Sequence, residues 1–313
     1  MRVHKITMTT GITRTTEFEK KKLACWAVNC GTKCGHGCLY CSTGCILRMH
    51  PSFKAVGENP FGNGYAIVDP DTPTRVAADA QRIKTRGMVQ LCTLVDAWAP
   101  EAQEYQLGRR CLEAILAEPG WTVRILTKNA AVREDFNLIE RYRERVLVGL
   151  SITATEEKAN LMRVVEPGAS SVTARMEVLR KAYERGLRTY AMFCPMMPGM
   201  ADSSEQITRL MHFAVECGVE EIFVEPVNSR GRALKDTQEA LWTAGYLEAG
   251  AAVARIRSRD RWSRYVVDLI SSVQRNVRSL YDINRLRILL YGSRLLPEDA
   301  AQIRKDDAGV IWL

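Results

Sequence analysis

From about Leu23 to Asn228, short apolar runs alternate with longer amphipathic ones. That is the pattern of βα units around a parallel sheet. Apolar runs at Leu23–Val28, Met88–Val95, Thr122–Thr127, Val146–Ile152, Leu187–Phe193 and Ile222–Val224 predict the strands. Between them, a helix over Glu101–Glu118 places Leu107, Cys111, Ile115 and Leu116 on one face. Further helices are expected over Val132–Arg143, Ser171–Arg185 and Ser204–Cys217. The last two run into Gly186 and Gly218, which suit the left-handed turn that closes a helix. About six such units predict an α/β fold, a partial (β/α)6 parallel barrel rather than a closed eightfold one.

The flanks read differently. Residues 1–22 form a Thr- and Lys-rich segment, 23–228 the barrel, and 229–313 a mainly helical C-terminal extension. Within the extension, Leu286–Tyr291 and Val310–Leu313 are candidate late strands. Pro51–Pro73 is rich in Gly, Pro and Asn and lacks periodicity, so a loop covering the neighbouring cysteines is expected there.

At 313 residues and 46% hydrophobic content, the chain can bury one sizeable core. No apolar run is long enough to span a bilayer, and the N-terminus lacks a signal-peptide core. A cytoplasmic protein with no membrane partner is expected, its ten cysteines reduced rather than disulfide-bonded. The formal charge of +8 fits an anionic partner such as nucleic acid, and equally a basic soluble protein. Arg255, Arg257, Arg259, Arg261 and Arg264, interleaved with Trp262 and Tyr265, have the composition of a nucleic-acid face. Asp260 and Asp268 in the same stretch favour a solvated helical face instead.

The chemistry is concentrated in Cys34-Gly-His-Gly-Cys38-Leu-Tyr-Cys41, a C-x3-C-x2-C triplet. Three thiolates can hold three irons of a four-iron cluster and leave the fourth open to an outside ligand. Gly35 and Gly37 let the backbone wrap a bulky inorganic core. A structural zinc site formed with Cys30 is the competing reading, and would suit a non-catalytic nucleic-acid-binding module. Only Cys38 and Cys41 make a zinc-type knuckle, so the cluster is favoured. Cys25, Cys30 and Cys45 flank the triplet as structural or redox-active thiols.

This triplet resembles the signature of the radical S-adenosylmethionine (SAM) superfamily. Within it, Cys30 to Asn228 is most similar to spore photoproduct lyase and the wider DNA-repair-photolyase-like branch. The resemblance is carried by the triplet, by Cys92-Thr-Leu-Val-Asp96, by Leu126-Thr127-Lys128, and by Gly149-Leu150-Ser151-Ile152 followed by Glu166-Pro167-Gly168. It implies a radical SAM barrel whose Cys34, Cys38 and Cys41 ligate a [4Fe-4S] cluster. Tyr40 is implied near the adenine of SAM, and Lys128 and Ser151 near its carboxylate and ribose. The chemistry implied is reductive cleavage of SAM to a deoxyadenosyl radical that abstracts hydrogen from a bound substrate. An external flavodoxin- or ferredoxin-like electron donor is implied as a partner. Cys92 stands where the lyase carries a cysteine that returns hydrogen to the substrate radical. Here one more residue separates it from the aspartate, a shift that can turn the thiol to the other sheet face. The sequence after Asn228 departs from the lyase's DNA-binding end. Nucleic acid is therefore ranked first among substrates, ahead of a peptide or a small metabolite, without thymine-dimer specificity. Met192, Met196, Met197 and Met200 are expected to line the barrel mouth as apolar packing.

Overall fold

Twelve strands build two sheets among the described residues, and the computed structural model describes every residue except Arg230. The strands are β1 (Arg2–Lys5), β2 (Thr13–Arg14), β3 (Trp26–Val28), β4 (Gly31–Lys33), β5 (Tyr65–Val68), β6 (Met88–Leu91), β7 (Thr122–Thr127), β8 (Val146–Ser151), β9 (Arg188–Met196), β10 (Ile222–Pro226), β11 (Leu286–Leu290) and β12 (Val310–Trp312). The large sheet runs in the order β12-β11-β10-β9-β8-β7-β6-β3-β2. All its neighbours pair in parallel except β2, which lies antiparallel on β3. The six strands expected from the apolar runs are its centre. Both late candidates form as β11 and β12 and extend it in parallel, so the C-terminal stretch contributes to the sheet as well as helices.

The sheet curls into an open barrel. Leu147, Tyr190, Met192, Phe223 and Leu289 pack in one inner cluster, joined by Met88 from one end of the sheet and Ile311 from the other. Period-two alternation produces this face: Tyr190, Met192 and Cys194 of β9 point in, while Ala191 and Phe193 pack in the outer core. The inner face is tightly fitted. A Cβ built on Gly149 would stand 2.2 Å from the Tyr190 ring, so only glycine leaves room for it. At the N-terminal end of the strands the interior is closed by charge. Arg124 lies over the Tyr190 and Phe223 rings and pairs with Glu221 at 2.9 Å. The opposite end is open.

The helices are α1 (Thr16–Lys20), α2 (Thr43–Ile46), α3 (Pro51–Val56), α4 (Thr72–Arg82), α5 (Pro100–Gln103), α6 (Leu107–Leu116), α7 (Phe136–Arg141), α8 (Ala159–Val165), α9 (Val172–Glu184), α10 (Ser204–Glu216), α11 (Ala233–Thr243), α12 (Leu247–Arg255), α13 (Arg259–Leu280) and α14 (Pro297–Arg304). The Ser171 and Ser203 side chains cap α9 and α10 by accepting the Ala174 and Gln206 N–H groups. Gly186 and Gly218 follow with φ of 69° and 54°. The helix expected over 101–118 is split into α5 and α6, with Gln106 between them at φ 51°. The break lets Gly108 approach the Trp98 ring, where a Cβ would meet ring carbon at 2.4 Å.

The stretch from Pro51 to Pro73 is more ordered than expected. It holds α3 and then β5, the centre of the small sheet β1-β5-β4. Tyr65, Ala66, Ile67 and Val68 are buried on both faces, so no alternation marks them in the sequence. β4 hydrogen-bonds to β5 and leads directly into Cys34. The N-terminal segment also packs on the body. β1 pairs with β5, and Phe18 and Leu23 join the inner cluster beside Leu289, Ile311 and Leu313.

Candidate active site

The cysteine loop leaves β4 and is held from two sides. Gly35 N–H donates to Glu101 Oε1 at 2.9 Å, and Thr43 Oγ1 to the Leu94 carbonyl at 2.9 Å. From the other side, Leu39 N–H donates to the Val165 carbonyl at 3.0 Å and Gly168 N–H to the His36 carbonyl at 2.9 Å. Cys34, Cys38, Cys41, Tyr40, Lys128, Ser151 and Cys92 all border one cavity of about 240 Å³. It opens at the C-terminal ends of the strands, where barrel folds build their sites. The residues singled out in the sequence are thus brought together across more than a hundred positions.

His36, inside the cysteine loop, is buried between two acceptors. Its Nδ1 is 2.9 Å from the Gly168 carbonyl and its Nε2 2.9 Å from Asp96 Oδ2. Both ring nitrogens must donate, which makes it an imidazolium. Burial opposes that charge and Asp96 more than offsets it, so the His36 pKa is raised. Asp96 also accepts from Thr127 Oγ1, from Lys128 N–H at 2.8 Å and from Trp98 N–H at 2.9 Å.

A second buried network carries Tyr40 and Lys128. Glu166 accepts from the Tyr40 hydroxyl, from Thr153 Oγ1 at 3.1 Å and from Arg175. Lys128 Nζ lies 3.4 Å from the same carboxylate and 5.5 Å from the centre of the Tyr40 ring. Burial alone would raise the Glu166 pKa, but Arg175 and then Lys128 bring it down to about 2. Lys128 Nζ also donates to Ser151 Oγ and, at 3.3 Å, to the Cys194 carbonyl, which Ser151 Oγ reaches at 2.7 Å.

The donor set fits a soft metal cluster. Burial, then the nearness of Cys41 and Cys38, pushes the Cys34 thiol well above its ordinary pKa. Burial and then Glu166 push Cys38 up to about 12. A metal cation would offset that cost at Cys34 and Cys38, since thiolate is the form that binds iron. Cys30 does not join them. Its sulfur is 3.9 Å from Cys92 Sγ and 3.9 Å from Cys111 Sγ of α6, so it is spent in the core. Among the described residues, no three His, Cys, Asp or Glu side chains are arranged to hold a single ion.

Some expectations change. Cys92 borders the cavity, but its sulfur contacts Cys30 on the side of the helix layer, and the residue is only 3% exposed. Of the four methionines, Met192 alone borders the cavity; Met196, Met197 and Met200 are buried in the outer core. Trp262 and Tyr265 are also turned inward, their polar tips on the Val227 and Met196 carbonyls. Arg264 pairs with Asp299 at 3.0 Å and Arg259 donates to the Arg294 and Leu295 carbonyls. That stretch is a helix with a solvated face. His36, Asp96, Arg175, Cys194 and Glu225 were not singled out from the sequence as site residues. His36 and Asp96 stood inside motifs already noted, and Glu225 carried a local signal as a carboxylate in the inward register of Ile-Phe-Val-Glu-Pro.

An open parallel barrel with clustered thiols, a lysine and buried carboxylates at its strand ends has the architecture of a barrel enzyme. The family model described as Radical SAM superfamily matches residues 28–213, and the chain belongs to that superfamily. It is a radical SAM enzyme, a family that implies an iron–sulfur cluster and SAM. The uncharacterized protein ORF301 of Acidianus two-tailed virus is 28% identical over 223 residues, covering 69% of this chain and 72% of that one. The uncharacterized protein MJ0683 of Methanocaldococcus jannaschii is 26% identical over 166 residues, covering 53% of this chain and 60% of its own length. Among solved structures, a variant of spore photoproduct lyase aligns with a TM-score of 0.59 at 15% identity, covering 89% of this chain and 79% of that one. A second variant, with bound AdoMet and dinucleoside spore photoproduct, aligns with a TM-score of 0.59 at 14% identity, with the same coverage. These likenesses show a shared fold. Among the described residues, no helix is long and apolar enough to cross a membrane.

Proposed function

We propose that Cys34, Cys38 and Cys41 hold a [4Fe-4S] cluster and that SAM binds between it and Tyr40, Lys128 and Ser151. When bound, the pair supplies the reductive cleavage that generates a deoxyadenosyl radical. The observation that carries this reading is the convergence of three thiols, a lysine and a serine on one cavity at the barrel mouth. Lys128 offers an ammonium to a carboxylate, the stronger kind of hydrogen bond. The Glu166–Arg175 pair fixes the height of Lys128 and of the Tyr40 ring. The inner cluster below the mouth excludes water from a reaction in which a stray hydrogen source would be wasteful. The electron comes from outside the chain, from a flavodoxin- or ferredoxin-like donor. Protein purified without oxygen is expected to contain iron and sulfide and, with a reductant, to turn SAM into deoxyadenosine. A colourless protein with one zinc would contradict the reading.

For substrate we take nucleic acid. Support comes from the charge of +8 and from the fold neighbour that binds a dinucleoside lesion. Fluorescence anisotropy with a labelled single-stranded oligonucleotide tests it. Affinity should fall steeply with salt as counterions are released. No binding at low salt would point to a peptide or small metabolite.

A further inference from the structure

Cys194 ends the inward-facing series of β9, and its sulfur lies on the inner face of the barrel beside Met192. It borders the same cavity as the cysteine triplet. Its carbonyl accepts from both Ser151 Oγ, at 2.7 Å, and Lys128 Nζ, at 3.3 Å, so its backbone is fixed by the two side chains assigned to SAM. Its thiol donates to Glu225 Oε2 at 3.3 Å, and Glu225 borders the cavity too. Lys21, from the N-terminal segment, stacks on the Tyr291 ring at 5.4 Å, and its charge acts on Glu225. Cys92, by contrast, has its sulfur on Cys30.

Burial and Glu225 hold the Cys194 thiol well above its ordinary pKa, so it stays S–H at neutral pH. That excludes a thiolate nucleophile and suits a hydrogen-atom source, since the S–H bond is weak and sulfur tolerates the unpaired electron. Burial raises the Glu225 pKa as well, against the pull of Lys21.

We propose that Cys194 is the residue that gives a hydrogen atom to a carbon radical formed inside the barrel, with Glu225 orienting its S–H. The proposal rests on the radical SAM reading of the same cavity. In the step, the S–H bond breaks homolytically and a C–H bond forms, leaving a thiyl on Cys194. One electron from the external flavodoxin- or ferredoxin-class donor and one proton from solvent at the cavity mouth restore the thiol.

The test needs no substrate. Enzyme reconstituted with iron and sulfide is exchanged into D2O, where Cys194 becomes S–D, and given SAM and dithionite. Wild type should yield deoxyadenosine enriched in one deuterium. Cys194→Ser and Cys194→Ala should lose most of that label, while Cys92→Ala keeps it. Equal labelling in wild type and both Cys194 variants would overturn the proposal. Absence of deoxyadenosine from every protein would instead overturn the underlying reading. A second readout uses the metal-free chain and infrared difference spectroscopy. The S–H stretch that disappears in Cys194→Ala should shift in Glu225→Ala, which removes its acceptor, and again on adding S-adenosylhomocysteine. An S–H band unmoved by either change would also overturn the assignment.

Discussion

His36 Nε2 and Asp96 Oδ2 stand 2.9 Å apart with both side chains almost wholly buried, and this pair ties the cysteine loop to the barrel. Asp96 lies in the turn after β6 and also accepts the Lys128 N–H. One carboxylate therefore sets both the loop that carries the triplet and the backbone that carries Lys128. Gly168 completes the clamp by exchanging hydrogen bonds with His36 from the opposite side.

Replacing Asp96 by Ala should leave the imidazolium buried without its anion. Breaking one partner of a buried pair costs about 3–5 kcal/mol. Urea denaturation of the metal-free variant at neutral pH should show that loss as a lower midpoint with an unchanged slope. A midpoint equal to wild type would mean that the loop is held by its backbone contacts alone.

Glu166 makes stability depend on acid. Its pKa falls from an ordinary 4.5 to about 2 in the folded chain, because Arg175 and Lys128 outweigh its burial. A lowered carboxylate pKa stabilises the fold above the unfolded value and loses that contribution as pH falls through the folded one. The window is thus from 4.5 down towards 2, and the contribution is roughly 3 kcal/mol. Glu166→Gln should be less stable at neutral pH, with a flatter decline across that window. Parallel pH profiles for the two proteins would contradict this.

Lys128→Ala removes the charged partner proposed for SAM and leaves Glu166 with Arg175, so the fold should survive. A lost charge-assisted hydrogen bond costs about 1.5–3 kcal/mol, or roughly ten- to a hundredfold in affinity. Equilibrium dialysis with labelled SAM on the reconstituted protein measures it. Unchanged affinity would return Lys128 to a purely structural partner of Glu166.

Much of this was legible in the chain. The apolar runs located the central strands, and the spacing of Cys34, Cys38 and Cys41 marked them as candidate cluster ligands. Lys128 and Ser151 came from the resemblance to the lyase branch, supported by their place after the apolar core of a strand. β5 was missed because Tyr65–Val68 is buried on both faces and its partner β1 lies some sixty residues earlier. The two clamps were missed for a similar reason. His36 with Asp96 and Arg175 with Glu166 are pairings that only tertiary packing makes, and nothing local marks a buried arginine on α9. Cys92 shows how fine the limit is. Its position near the strand end was clear, but the direction of its sulfur depends on local backbone geometry that spacing does not determine.

The central claim is that the triplet holds the cluster at which SAM is cleaved. The most direct measurement is iron and sulfide content together with deoxyadenosine formation, made side by side on wild type and on a chain with Cys34, Cys38 and Cys41 all replaced by Ala. Both proteins are purified without oxygen, and their folds are compared by circular dichroism. The account predicts about four irons and four sulfides per wild-type chain, as a [4Fe-4S] centre requires, with SAM turned over under reduction. It predicts neither iron nor deoxyadenosine in the folded triple variant. Full iron–sulfur content in that variant, or a single zinc in wild type, would contradict it.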